Sequence, residues 1–273
     1  MEIFIPNNIE KDEALARTTH LAVAAHQDDI EFMAYDGILK CFENPNLHFT
    51  AVVVTDGSGS PRSGIYADYT NEDMMHIRKQ EQKKAAIIGN YNAQIFLDLP
   101  SPQLKNPLER EAVDCLKEII LKTKPSVIYT HNPADKHDTH VAVVLRLITA
   151  LRELNYVPDK LYGCEVWRSL DWVCDKEKVA FHIDGRPNLE AALMGVFDSQ
   201  ISGGKRYDCA VIGRRHANAT FSESHGVDEA QELIYAVDLT VLLKDKELSV
   251  SDYITEYINR FCEDVRSKIE RLE

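Results

Sequence analysis

The sequence predicts an α/β fold, a Rossmann-like and mostly parallel sheet with helices on both faces, elaborated by a C-terminal α+β region. Three observations lead there. Short β-branched apolar runs alternate with amphipathic segments through the first 155 positions, the rhythm of parallel strands joined by crossover helices. Two polar clusters, AHQDDIE (25–31) and THNPADKHDTH (130–140), arrive as two of those runs end. Beyond residue 155 the regular alternation breaks down.

The elements follow in chain order. Residues 19–25 (THLAVAA) read as a short buried strand, and 48–55 (HFTAVVVT) as a second that ends at the loop signal DGSGS, 56–60. Residues 73–89 carry Met74, Ile77, Glu81, Lys84 and Ile88 at helical spacing, with Gly89 placed to stop the helix. QIFLDL (94–99) predicts a third strand, 107–122 a helix, and SVIYTH (126–131) a fourth strand. Residues 140–154 put Val141, Val144, Leu145, Ile148 and Leu151 on one helical face. KLYGCEVWR (160–168), KVAFHID (178–184) and IYAVDLTVLL (234–243) predict strands, and 187–197 and 250–272 predict helices. The polar stretch 202–231 reads as one long loop. The expected organisation is a single domain over 1–273, with a core at 1–155 that carries the site and an extension at 156–273.

Composition narrows the function. The chain has 273 residues, 44% hydrophobic and 27% charged, the balance of a soluble globular protein. A net charge of −13 repels phosphate backbones, so nucleic acid is not an expected partner. No run approaches the roughly 18 apolar residues of a membrane span, and the N-terminal residues show no signal-peptide pattern. The six cysteines have no CxxC spacing, which predicts reduced thiols and a cytoplasmic location.

The two polar clusters carry the chemistry. Ligands of open α/β sheets bind outside the carboxyl ends of the strands, where the strand order reverses. If it reverses between the first and fourth strands, both clusters face one crevice. His26 and Asp29 are three residues apart, so one turn can aim both at one ion, and His140 can supply a third ligand. Catalytic zinc takes three such protein ligands and keeps one position open. Asp28 then serves as a general base, and the ion offsets the repulsion between the neighbouring carboxylates. His137 is placed to stabilise an oxyanion or protonate a leaving group. Either cluster alone also fits a helix cap, with Asp138 or Thr139 capping the segment from Val141. Two such clusters at two strand ends favour the metal.

These residues resemble the zinc-dependent LmbE-like, or PIG-L-like, N-deacetylases. That family includes the deacetylases of mycothiol and bacillithiol synthesis and the enzyme acting on N-acetylglucosaminyl-phosphatidylinositol. Its first motif is AHPDD followed by a glutamate, directly or after one small residue; here AHQDDIE matches it except that Gln27 replaces the proline. Its second ends in HxxH, here His137-Asp138-Thr139-His140. The resemblance implies zinc on His26, Asp29 and His140, with Asp28 as base and His137 as transition-state stabiliser. Iron or cobalt also fits such ligands. Arg78 and Glu81 match a family arginine and glutamate, which implies a substrate contact for Arg78; an exposed i,i+3 ion pair is the other reading. Lys136 falls where some relatives carry an arginine, which implies a substrate contact for it.

The chain departs from the pattern at Ser101, where many relatives have an aspartate, and at Phe197, where several have a histidine. The metal centre is untouched by either change, but the substrate is left open. The implied activity is zinc-dependent removal of the acetyl group from an N-acetylated amino sugar of the N-acetylglucosaminyl type, releasing acetate. An amidase on another N-acyl substrate and a catalytically silent sugar-binding relative are the alternatives. The expected partner is a small-molecule N-acetyl sugar conjugate, with a homo-oligomer open. Lys205, Arg206, Arg214, Arg215 and His216 make a basic cluster in 202–231, which at a cleft would favour an anionic substrate group and elsewhere would only be solvated.

Overall fold

The computed structural model describes residues 1–273. Its eight strands form one sheet: β1 (Glu2–Phe4), β2 (His20–Ala24), β3 (Phe49–Thr55), β4 (Ala93–Leu99), β5 (Val127–His131), β6 (Lys160–Cys164), β7 (Val179–His182) and β8 (Leu233–Asp238). The order across the sheet is β1-β4-β3-β2-β5-β6-β8-β7. From β4 to β6 every pairing is parallel. β1 is antiparallel to β4, and β8 is antiparallel to both β6 and β7.

A sheet covered on both faces needs strands that are apolar on both sides, and that is how β2 and β3 read. Leu21, Val23, Val52 and Val54 enter one core cluster, while Ala22, Ala24, Ala51 and Val53 enter another. The alternation is the period-2 geometry of a strand. The helices in chain order are α1 (Lys11–Ala16), α2 (Asp29–Met33), α3 (Tyr35–Cys41), α4 (Asn71–Ile88), α5 (Ser101–Lys105), α6 (Glu111–Thr123), α7 (Asp138–Leu154), α8 (Pro187–Gly195), α9 (Asp198–Ile201), α10 (Tyr207–Thr220), α11 (Val241–Lys244) and α12 (Val250–Leu272). α6 and α7 send Leu116, Ile120, Val144 and Leu147 into the first cluster. α3 and α8 send Ile38, Leu189 and Leu193 into the second.

Residues β2, β3 and β4 run outward from the middle in sequence order, whereas β5 lies on the other side of β2. The strand order therefore reverses between β2 and β5, and the two polar clusters leave the sheet side by side at that point. This is what positions the site.

Several expectations need correction. The segment 202–231 is not one loop, because α10 fills residues 207–220. Its helical period is masked by Arg215, a charged residue on the buried side at 2% exposure. α2 and α3 follow the first polar cluster where no helix was expected, and β1 and α1 precede the first expected strand. The expected strand 234–243 stops at Asp238 and turns into α11, and 160–168 stops at Cys164.

Candidate metal and catalytic site

The first cluster is a turn held in an unusual backbone state. Asp28 has φ 88° and ψ −33°, a conformation that costs an L-residue on the order of 1–3 kcal/mol. Two buried groups of α4 hold it there. Gln82 Oε1 accepts from Asp28 N at 3.1 Å, and Arg78 Nη2 donates to the Asp28 carboxylate at 3.2 Å and to the Gln27 carbonyl. Arg78 Nε also donates to Gln27 Oε1 at 3.2 Å. Beside this, Gly57 has φ 76°, and a Cβ there would meet Gln27 Oε1 at 2.5 Å, so the loop DGSGS needs glycine at this position. Asp28 stands at the N-cap of α2 but its side chain makes no capping bond. Asp29 Oδ2 instead closes the turn before the helix, accepting from His26 N at 2.8 Å.

The second cluster is capped by His137, not by Asp138 or Thr139: His137 Nδ1 accepts from Thr139 N at 3.3 Å. His140, in the first turn of α7, is fully buried. Its Nδ1 meets Asp135 Oδ2 at 3.3 Å, which turns Nε2 toward the first cluster. Three donors then converge. His26 Nδ1 lies 3.1 Å from Asp29 Oδ2 and 3.2 Å from His140 Nε2, and His140 Nε2 lies 3.2 Å from Asp29 Oδ2. Ligands of a tetrahedral zinc with bonds near 2.1 Å stand about 3.4 Å apart, so this donor set fits a divalent metal ion. Electrostatics agree. Burial opposes charge on His140, yet Asp29 and Asp135 outweigh it and raise the imidazole pKa to about 9. Burial would raise Asp29, but His140, His26 and His131 hold it well below the usual carboxylate range. The spot favours positive charge, as an ion site must.

His131 and Asp135 support this centre, and sequence reasoning missed both. His131 is the last residue of β5 and stacks on His140, with ring centroids 3.8 Å apart. Its Nε2 stands 3.6 Å from Asp29, but the lone pair accepts from Ala25 N at 2.9 Å. His131 is thus a support and not a free ligand. Asp135 ties the second cluster together, accepting from His137 N at 3.1 Å and from Trp167 N at 3.2 Å.

The cluster backs onto one cavity of about 610 Å³, with His140, His131 and Asp135 behind its wall. Its wall includes His26, Asp28, Asp29, Arg78 and His137 from the expected set, and Glu165, Trp167, Lys205, Tyr207 and Arg214 from beyond residue 155. Burial raises Asp28 well above the usual carboxylate range, Arg78 opposing in part. Burial, followed by His26 and His140, lowers His137 to about 4, so it is neutral at physiological pH. With Nδ1 accepting from Thr139 N, the ring carries its proton on Nε2. Lys136 is exposed and outside the cavity wall; its Nζ stands 5.8 Å from the Trp167 ring centre.

Residues 21–151 match the family model described as PIG-L: GlcNAc-PI de-N-acetylase. This stretch is similar to the PIG-L family. The fold is also that of known structures. An N,N'-diacetylchitobiose deacetylase from Pyrococcus horikoshii superposes with a TM-score of 0.63 at 14% identity, covering 82% of this chain and 85% of that one. A 4-carboxy-2-hydroxymuconate hydratase from Pseudomonas putida KT2440 gives 0.62 at 16% identity, over 81% and 96%. The zinc-inhibited form of teicoplanin deacetylase Orf2 gives 0.57 at 15% identity, over 81% and 98%. The chain matches no curated protein.

Within the PIG-L stretch, Arg78 and Glu81 do not pair with each other. Both are buried, and Glu81 accepts from Ser199 N and Oγ at 2.7 and 2.6 Å, tying α4 to α9. Ser101 lines the cavity, whereas Phe197 is packed in the second core cluster. The basic cluster beyond the PIG-L stretch is dispersed. Arg215 is buried against Glu190 and donates to the carbonyls of Glu31 and Phe32 at 2.8 and 3.2 Å. Arg206 pairs with Asp208, and His216 meets the Gln231 carbonyl. Only Lys205, Arg214 and part of Arg215 reach the cavity wall.

Proposed function

We propose that the protein is a metal-dependent N-deacetylase that hydrolyses the acetamide of an N-acetylated amino sugar and releases acetate. One observation carries this reading: His26 Nδ1, Asp29 Oδ2 and His140 Nε2 stand within 3.2 Å of one another, directly behind a wall that presents His26, Asp29, Asp28 and His137. The family match and the two deacetylases among the fold relatives support it. The hydratase relative has the same fold with other chemistry, so the fold alone does not decide the reaction.

A divalent ion, zinc being the best match to this donor set, would polarise the amide carbonyl and make a water acidic enough to attack it. The remaining steps belong to side chains. Asp28 takes the proton of the attacking water; its raised pKa brings a carboxylate base closer to the operating pH. Arg78 keeps the Asp28 carboxylate aimed while the φ of 88° holds it off the α2 axis. His137, a neutral imidazole with its proton on Nε2, donates Nε2–H to the oxyanion of the tetrahedral state. The amine then leaves with the proton that Asp28 took. Arg78 is read as a positioning group that also borders the substrate, and Lys136 as a contact only for a substrate reaching past Trp167. An amidase acting on other N-acyl compounds uses the same steps.

The test is acetate release from a panel of N-acetyl amino sugars and simple N-acyl amides. Activity on the sugars that is lost on chelation and regained with zinc or iron supports the reading. Hydration of an unsaturated acid with no acetate from any N-acetyl compound would overturn it.

A further inference from the structure

The wall contributed from beyond residue 155 contains a carboxylate whose second oxygen has no partner. Glu165 is 4% exposed and lines the cavity. Its Oε1 accepts from Tyr235 N at 2.9 Å and from Asn218 Nδ2 at 2.5 Å, which fixes the side chain between β8 and α10. Its Oε2 is buried without a hydrogen bond. A buried acceptor left bare costs roughly 1–3 kcal/mol, and such exceptions call for a function. Two residues on, Trp167 lines the same wall, with its ring centroid 6.1 Å from that of His137 and 6.1 Å from that of Tyr207. An aromatic ring beside the candidate catalytic histidine and a bare acceptor therefore share one wall.

The neighbours decide which donor belongs there. Lys205 Nζ stands 5.2 Å from the Trp167 ring centre, and the Arg214 side chain donates to the Val166 carbonyl between Glu165 and Trp167. Two cations on this wall disfavour an ammonium ligand, and the Glu165 carboxylate disfavours an anion at its own oxygen. A neutral hydroxyl remains. A ring with an apolar C–H face and hydroxyl edges satisfies both Trp167 and Glu165.

We propose that Glu165 is a specificity-determining residue, accepting through Oε2 a hydrogen bond from a hydroxyl of the substrate's sugar while Trp167 covers the apolar face of that ring. The inference rests on the deacetylase reading for where the acetamide lies, but its test does not need turnover. N-acetylglucosamine, chitobiose and their monodeoxy analogues are titrated into the metal-loaded protein by calorimetry, for the unmodified chain, Glu165→Gln and Trp167→Ala. Glutamine keeps an oxygen for Tyr235 N and replaces the bare acceptor with a donor. A hydrogen bond to a charged acceptor predicts that one deoxy analogue binds the unmodified protein 10- to 100-fold more weakly than its parent sugar. Glu165→Gln should erase that difference, and Trp167→Ala should weaken parent and analogue equally. Thermal melts establish that both variants are folded. Equal binding of all analogues to the unmodified protein, equal weakening of all by Glu165→Gln, or no sugar binding at all overturns the proposal. Acetate release decides the deacetylase reading separately: release without a Glu165-dependent hydroxyl effect sinks only this inference, and the hydroxyl effect without release sinks only that reading.

Discussion

Asp28 carries two features that a chance turn residue would not combine, a positive φ of 88° and a buried carboxylate facing a cavity beside Arg78. Strain of this kind persists only where the surroundings enforce it, and here Gln82 and Arg78 do so. Asp28→Asn keeps the shape and removes the proton acceptor. Turnover should fall by about 10²- to 10⁴-fold, the usual contribution of a positioned acid–base group, with metal content retained. Metal analysis alongside kinetics checks this; loss of metal together with activity would make Asp28 a ligand. His26, Asp29, Asp28, His137 and His140 were legible in the sequence because titratable residues packed at two strand ends have few structural reasons to be there. His131 and Asp135 were not legible. Each acts on another side chain, and a histidine closing the run SVIYTH looks like any strand end until Ala25 N and the His140 ring are seen against it.

At the scale of elements, α10 separates what periodicity reveals from what it hides. Strands β2 to β8 and helices α6, α7 and α12 were readable because their apolar residues follow the period of the element. α10 was not, because its most buried large side chain is Arg215, held by Glu190 and two carbonyls at the end of α2. That burial also corrects the substrate argument built on the basic cluster, since an arginine already paired inside the protein is not available to a substrate anion. Arg215→Ala should act on stability, leaving Glu190 as an unpaired buried charge at a cost of about 3–5 kcal/mol. Thermal denaturation should show a large drop for Arg215→Ala and almost none for Lys205→Ala, whose side chain forms no ion pair. Equal melting temperatures for both variants would mean that the Arg215–Glu190 contact does not hold α10 in place.

Across the whole molecule, the boundary expected near residue 155 marks a change of rhythm within one continuous sheet. β6, β8 and β7 extend the sheet from β5, and α10 and the segment after β6 close the cavity beside His26 and Asp29. We propose that residues 1–273 fold as one unit. Far-ultraviolet dichroism, which follows the sheet and helices, and the fluorescence of Trp167 and Trp172, both after residue 155, should then report one coincident unfolding transition. Two separated transitions would show that the halves fold independently. The antiparallel return of β8 beside β6 was not legible, since strand direction is set by connections and not by composition.

His26, Asp29 and His140 are proposed to hold one divalent ion together. This is tested most directly by the metal content of the purified protein and of His140→Ala, measured by mass spectrometry after dialysis against zinc. Close to one ion per chain is expected in the unmodified protein and a near-complete loss in His140→Ala, because removing one of three ligands leaves too few to hold it. A His140→Ala protein that is folded and still carries a full equivalent of metal would contradict this assignment.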